Sequence, residues 1–404
     1  MSNFISKNKV KNGQKKFMIE NYNQFIAKTF LGLEEPLIDE LKLLGAKDIV
    51  KVNRGVKFTG DKELLYKANL HLRTALRILV PFLQTNLKSP EELYEFALTY
   101  NWLNLLSVSD TFAIDAIVNS KYFTHSKYAA LKLKDAIADY FRRETGVRPS
   151  VNTINPNYRI NLHISEDRVT ISLDSSGDSL HRRGYRKGRG PAPLNEVLAA
   201  GIIKLSGWSG DSDLFDPMCG SGTIAIEAAL IAKNIPPGYI KNSFSFMKWY
   251  DYDEKLYKRI LKRAEAKIDD TFVKIYANDI SPEIIRKAKL NAVKAGVNSV
   301  IKFSKKDFFE MDPPLNSGFI ISNPPDDERL RTSDINKFYK QIGDTLKHKY
   351  TGFEAWIFSG NLKALKSFGL KPSKKYILLN GAIDSRLNGY ELYSGSKKQK
   401  ENLS

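Results

Sequence analysis

The sequence predicts an α/β protein. A doubly wound, mostly parallel sheet fills the C-terminal half, and two small α+β units precede it. Three observations carry this prediction. A strand, a tight glycine turn and a helix follow one another in "DLFDPMCGSGTIAIEAALIAKNIPPG". Strand-like and helix-like segments then alternate to about residue 393, the pattern of a sheet built by helical crossovers. Before residue 179, short strands and helices mix without that regular alternation.

A chain of 404 residues exceeds what one core usually serves, so two or three domains are expected. Residues 1–20 read as a basic disordered tail, 21–82 as the first α+β unit and 83–178 as the second. Residues 179–192 read as a basic linker, 193–393 as the α/β domain and 394–404 as a closing tail. No apolar run reaches the length of a membrane span. The start, "MSNFISKNKVKNGQKKF", has no apolar segment of a secretory signal. The single cysteine, Cys219, excludes an internal disulfide. Together these point to a cytoplasmic protein. Five scattered histidines offer no ligand spacing, so no metal is expected. Lys and Arg number 63 against 45 acids, a formal net charge of +18. Such a field favours polyanions, nucleic acid first.

In the first unit, "QFIAKTF" and "GVKFTG" read as strands. "EEPLIDELKLLGA" is a helix with Leu37, Leu41 and Leu44 on one face and Gly45 at its end. "DKELLYKANLHLRTALRILV" reads as one helix through Leu64, Leu65, Ala68, Leu72, Ala75 and Leu76. In the second unit, "SPEELYEFALTYNW" is a helix and "TFAIDAIV" a strand. "SKYAALKLKDAIADYFRRETG" reads as a helix capped by Ser126 and ended by Gly146, with Ala130, Leu133, Ile137, Tyr140 and Phe141 toward a core. "YRINLHIS" and "RVTISLDSSG" alternate with period two and should pair as antiparallel strands. The run "HRRGYRKGRG" then sets Arg182, Arg183, Arg186, Lys187 and Arg189 around Tyr185. That mixture suits RNA backbone contact and base stacking; it also suits a solvated linker.

In the α/β half, Gly220 and Gly222 would let the backbone approach a ligand, and Thr223 opens a helix whose N-terminus favours polar ligand groups. Gly220 to Ala225 also fits G-x-G-x-x-A, the dinucleotide fingerprint. That reading wants an acid about twenty residues later. The acid that closes the next convincing strand, Asp279 in "FVKIYANDI", lies much farther on. Asp279 is placed to accept two ribose hydroxyls, and Ser281 with Pro282 opens the following helix as N-cap and first residue. The fourth strand, "GFIISNPP", ends beside the first glycine turn, where open α/β sheets bind ligands.

These motifs carry a resemblance. Asp216-Pro-x-Cys219-Gly220-Ser221-Gly222-Thr223 resembles motif I of class I S-adenosylmethionine (SAM)-dependent methyltransferases of nucleic acid, with a Rossmann-like catalytic domain. Asn323-Pro324-Pro325 resembles the N-P-P-[YF] motif of amino-directed members. "FAIDAIVNSKYFTHSKYAALKLKDAIADYFRRETGVRP" with "NLHISEDRVTISLDSSGDSLHRRGYR" resembles the THUMP RNA-binding domain, and the unit before it the ferredoxin-like domain that accompanies THUMP. The order of parts is similar to that of the bacterial THUMP-containing guanine-N2 methyltransferases of 23S rRNA. The resemblance implies SAM as cofactor and RNA as partner. It implies that Asp216, Cys219, Gly220, Ser221, Gly222 and Asp279 hold SAM, that Asp307 accepts the adenine amino group and that Phe308 flanks the ring. THUMP relatives that act on tRNA guanine N2 leave the RNA class open. Some relatives carry a second methyltransferase domain; a single one is expected here.

The chemistry of Asn-Pro-Pro follows from the substrate. An exocyclic amine has its lone pair spread into the base. Asn323 Oδ1 and the Pro324 carbonyl would each accept one amine hydrogen and turn the nitrogen toward the methyl donor, and the prolines hold those acceptors still. Cytosine or uracil C5 methylation would need a cysteine beside the base, whereas Cys219 lies in the cofactor turn. A nicotinamide-dependent dehydrogenase would have no use for Asn-Pro-Pro. The residue after the motif departs from the pattern: Asp326 replaces the aromatic that stacks on the flipped base. Two readings follow. Asp326 is tolerated or reads guanine, or turnover is weakened and the protein binds RNA in ribosome assembly.

Overall fold

The computed structural model describes residues 23–186, 193–241, 243–325 and 332–393. Asp326, Lys187, Arg189 and both basic tails lie outside these residues. The described chain forms two compact units. One holds Val80–Asp174 with Lys248–Tyr252; the other holds Gln24–Leu79, Ser175–Met247 and the chain from Asp253 onward.

The larger unit begins with β1 (Gln24–Lys28), α1 (Glu34–Leu43), β2 (Lys47–Val52), β3 (Gly55–Thr59) and α2 (Lys62–His71), and β4 (Arg77–Asn86) leads out of it. β1 pairs antiparallel with both β3 and β4. Asp61 caps α2 by accepting the Leu64 N–H at 2.8 Å. The single helix expected over 61–80 divides here. Leu72 is extended, with ψ 117, and Thr74 donates its N–H and hydroxyl to Glu40 Oε2 at 3.0 and 2.7 Å. The apolar run Ile78-Leu79-Val80 is then buried in a strand. Apolar spacing alone does not separate a buried strand from a helix.

The smaller unit contains α3 (Pro90–Thr99), β5 (Thr111–Asn119), α4 (Ser126–Thr145), β6 (Ser150–Val151), β7 (Tyr158–Ser165) and β8 (Arg168–Asp174). β5 runs parallel to β6 and β7, and β7 pairs antiparallel with β8 as the alternation predicts. Leu133, Ile137, Tyr140 and Phe141 of α4 are buried, and Gly146 ends the helix at φ 76. Ala129 is buried rather than Ala130. His125, not Ser126, holds the cap position, and no side chain caps it.

The chain returns to the larger unit through α5 (Glu196–Ser206), β9 (Leu214–Asp216), α6 (Thr223–Ala232), α7 (Glu254–Glu265), β10 (Ile275–Asp279), α8 (Pro282–Lys294), β11 (Ile301–Lys305), β12 (Gly318–Ser322), α9 (Thr332–Lys349), β13 (Phe353–Ser359), β14 (Lys374–Asn380) and β15 (Ile383–Glu391). Their sheet has the order β11-β10-β9-β12-β13-β15-β14. The first five strands are parallel, and β15 is antiparallel to both neighbours. Successive residues serve opposite faces: Leu214 and Ile321 enter one core cluster, Phe215 and Ile320 the other. The order reverses between β9 and β12, so the crevice at the carboxyl ends of those strands is the topological switch point.

The opening α+β elements pack into this catalytic-sheet unit rather than standing apart. Phe30 and Leu33 share the cluster of α5 and α6. A Cβ on Gly201 of α5 would meet the Leu33 side chain at 2.5 Å. Arg73 donates to the carbonyls of Leu230 and Ile235 at 3.2 and 2.7 Å.

Candidate active site

β9 ends at Asp216, and a glycine turn carries the chain into α6. Its two glycines serve different purposes. Gly222 has φ +83, and a Cβ there would lie 3.1 Å from the Ala288 Cβ, so it lets α6 approach α8. Gly220 has φ +52, and a Cβ there would meet nothing within 4 Å. Gly220 therefore faces open space at the switch point, as a ligand cradle requires. The turn is held from three sides. The Cys219 N–H donates to the Asn278 carbonyl at 2.8 Å. Asn291 Nδ2 donates to the Ser221 carbonyl at 3.1 Å. The Gly220 N–H donates to Asp279 Oδ2 at 3.1 Å.

Asp279 closes β10, and its Oδ1 accepts the Ser281 N–H at 2.9 Å. Ser281 in turn caps α8 by accepting the Ile284 N–H at 3.4 Å. Each carboxylate oxygen takes one backbone donor and retains a lone pair for a ligand hydroxyl. Asn278, one residue earlier, was not singled out by sequence. Its Nδ2 donates to the carbonyls of Pro217 and Lys306 at 3.1 and 2.9 Å. Its Oδ1 accepts from the Ser304 hydroxyl and the Lys306 N–H at 2.8 and 3.0 Å. One side chain thus ties the ends of β9, β10 and β11. The only sequence signal was a polar residue inside an apolar strand.

Asp216 is buried, and burial pushes its carboxyl well above the usual carboxylate range. The Met218 N–H and the Ser322 hydroxyl oppose that shift in part. Ser322 stands close without hydrogen-bond geometry: Asp216 Oδ1 and Ser322 Oγ are both buried without a partner among the described residues. Two orphan oxygens at the ends of neighbouring strands β9 and β12 invite a polar ligand. Cys219 is 7% exposed, and burial raises its thiol well above the ordinary value. It stays neutral, a packing group and not a nucleophile.

After β11, Asp307 is half-buried, and its Oδ1 accepts the Phe309 N–H at 2.9 Å. Its other oxygen takes no hydrogen bond among the described residues. Phe308 lies deeper than a ring-flanking position needs: it is 4% exposed and stacks on Tyr350 at 5.6 Å inside the core. Asn323 follows β12 half-buried, Pro324 is buried and Pro325 is half-buried. No hydrogen bond occupies the Asn323 side chain among the described residues.

Within the basic run, Arg183, Tyr185 and Arg186 turn inward, whereas Lys187 and Arg189 lie outside the described residues. Arg183 is 1% exposed and donates to the carbonyls of Leu180 and Arg73, each at 2.6 Å, beside Glu227 at 3.4 Å. Tyr185 is 1% exposed and donates its hydroxyl to Glu227 at 3.1 Å. Arg186 donates to Thr223 Oγ1 and the Leu194 carbonyl and pairs with Glu196 at 3.3 Å. Through Thr223 and Glu227 these side chains tie the N-terminal half of α6 to the surrounding fold. The sequence could not show this for Arg183 and Tyr185, because Glu227, the acid they share, lies far along the chain. Arg182 remains exposed, 3.6 Å from Asp178.

The crevice fits SAM. Open space lies at Gly220, paired acceptors at Asp279, a spare carboxylate oxygen at Asp307 and an orphan buried carboxyl oxygen at Asp216 suited to a cationic amino group. The doubly wound sheet with this turn at its switch point defines a class I methyltransferase fold. Residues 183–388 match the RMKL-like methyltransferase domain, 88–174 the THUMP domain and 24–79 the RlmL ferredoxin-like domain. "Ribosomal RNA large subunit methyltransferase K/L" of Shewanella frigidimarina is 37% identical over 381 residues, 93% of this chain and 54% of that protein. The chain thus spans about half the length of such relatives, 54% in that case. "Putative RNA methyltransferase slr0064" of Synechocystis sp. is 37% identical over 371 residues, 91% of this chain and 97% of that protein. A solved structure described as "SMU.472, a putative methyltransferase complexed with SAH" has TM-score 0.82 at 29% identity, covering 93% of this chain and 99% of that one. A possible methylase from Clostridium difficile 630 has TM-score 0.83 at 32% identity, with the same two coverages of 93% and 99%. The chain belongs to the family of RMKL-like methyltransferases that carry THUMP and RlmL ferredoxin-like domains. Among the described residues, no helix is long and apolar enough to cross a membrane, and no group of three or more His, Cys, Asp or Glu could hold a metal ion.

Proposed function

We propose that the protein transfers a methyl group from SAM to the exocyclic N2 of a guanine, in 23S rRNA, in the cytoplasm. The observation that carries this reading is the end of β12. The Asn323 carboxamide and the Pro324 backbone sit at the switch point beside a glycine turn suited to SAM. The names of the K/L relatives support rRNA, and the THUMP match supports RNA. The domain assignment proposed with it is ferredoxin-like over 21–82, THUMP over 83–178 and methyltransferase over 193–393.

Bound SAM supplies an electrophilic methyl group. Asp279 accepts the ribose hydroxyls, Asp307 the adenine amine, and Gly220 with Ser221 leaves room for the chain. Asn323 Oδ1 and the Pro324 carbonyl accept the two hydrogens of guanine N2. This orients the nitrogen lone pair and helps localise it. Orientation of this kind is worth up to roughly 7–11 kcal/mol. No ionised base is required, because the methylated ammonium is acidic and releases its proton to water.

The test is tritiated SAM with unmodified rRNA, followed by nucleoside analysis. Label in N2-methylguanosine is the expected outcome; binding of SAM with no transfer overturns the reading. Asp326 favours a second reading, an RNA-binding assembly factor with weakened turnover, since a carboxylate cannot stack on a base. On the enzymatic reading, Asp326→Tyr raises kcat roughly tenfold, because base stacking is worth about 1–3 kcal/mol. An unchanged kcat removes position 326 from the argument. Transfer to tRNA instead of rRNA in the same assay would retain the chemistry and change the substrate.

A further inference from the structure

We propose that the outer face of α7 docks the phosphate backbone of RNA, giving the catalytic-sheet unit a basic surface of its own. The inference rests on the RNA-methylating reading above. α7 buries Tyr257, Ile260 and Ala264 on one side. Its other side carries Lys255, Lys258, Arg259, Lys262 and Arg263, all exposed. Their spacing of three and four residues makes one continuous stripe.

The acids nearby do not neutralise it. The helix itself has only Glu254 and Glu265. Glu254 pairs with Lys258 at 2.7 Å, and Glu265 accepts the Tyr239 hydroxyl at 3.2 Å. Glu63 of α2 is shared by three cations, Lys67 at 2.7 Å, Arg263 at 3.5 Å and Arg259 at 3.9 Å. Lys255 and Lys262 have no ion pair among the described residues.

A basic amphipathic helix suits either RNA or an anionic membrane, and the packing decides between them. Tyr257 stacks edge-on against Tyr66 at 6.1 Å and Phe246 at 5.6 Å. The apolar face that would enter a bilayer is therefore already buried in protein. From Lys255 to Lys262 the stripe rises roughly 10 Å. One strand of a duplex presents about three phosphates over that length.

The test compares the unaltered protein with a triple charge reversal, Lys255→Glu, Lys258→Glu and Lys262→Glu, for binding to a 23S rRNA transcript across a salt series. These three lysines avoid the Glu63 cluster that joins α7 to α2. The expected result is at least a tenfold rise in Kd and a salt slope shallower by about two to three. The Lys→Gln triple should lose less, and SAM affinity and thermal midpoint should hold. Equal rRNA affinity and slope in the reversed variant, with those controls intact, overturn the surface proposal and leave the N2-methylation reading standing. Failure of the unaltered protein to bind rRNA removes the RNA reading first. Binding to phosphatidylserine vesicles that the triple variant loses, without change in rRNA binding, would reassign the face to membranes and overturn the proposal.

Discussion

At Asn323 the chain leaves β12, and the carboxamide stands half-buried ahead of a buried proline. A role in orienting the amine predicts that Asn323→Ala lowers kcat by about 10²–10³, the usual worth of a preorganised polar group in a transition state. SAM affinity should stay within twofold. A matched loss of SAM binding would instead assign Asn323 to the cofactor. Asp216 makes the opposite prediction. Its folded carboxyl is raised, so the folded state holds the proton more tightly than the unfolded chain. Its contribution to stability is largest below pH 3.8 and falls as pH rises toward the folded value. Asp216→Asn should therefore raise the thermal midpoint at pH 8 while weakening SAM binding about tenfold, near the worth of one charged hydrogen bond. Calorimetry with and without SAM reads both. The residue types at the site were legible from chemistry: acids at strand ends, glycines in the turn and Asn-Pro-Pro. The burial of Phe308, Arg183 and Tyr185 was not, since each depends on partners distant in sequence.

Among the elements, α8 shows what local chemistry can specify. Ser281 and Pro282 were expected as N-cap and first residue, and both occupy those places. The segment over 61–80 shows the limit, because its apolar spacing fits a helix followed by a strand equally well. The edge of the catalytic sheet depends on a residue that no motif named. Asn278→Ala would leave the Pro217 and Lys306 carbonyls, the Lys306 N–H and the Ser304 hydroxyl without their partner. The expected cost is about 3 kcal/mol, with a loosened glycine turn and weaker SAM binding. Urea unfolding measures the first and isothermal titration the second. A loss below about 0.5 kcal/mol, the scale of an ordinary surface change, would refute the tie between the three strand ends.

Across the whole molecule, stability should carry an acid-side signature. Burial and nearby arginines and lysines lower His71 and His181 from 6.5 to about 4. In that window the unfolded chain binds more protons than the folded one. Stability is therefore fully present above pH 6.5 and is lost as pH falls through about 4. Both rings are partly exposed, so each should contribute about 1–3 kcal/mol. Denaturation at pH 7 and pH 4.5 should show a smaller drop for His71→Gln/His181→Gln than for the unaltered protein; an identical drop would place the acid sensitivity elsewhere. Chain order alone determined the succession of ferredoxin-like, THUMP and methyltransferase segments and the glycine turn at Gly220 and Gly222, and it carries the proposal of acceptors at Asn323 and Pro324. Local φ/ψ demands and reaction chemistry are written in short stretches. Only the tertiary structure decided that Gln24–Leu79 belongs with the catalytic sheet and that Arg183 and Arg186 are internal braces. Only it placed Asp216 and Ser322 as orphan neighbours at one crevice. The reason is physical: burial and pairing are properties of residues far apart in the chain, and those meet only when the sheet closes its order between β9 and β12.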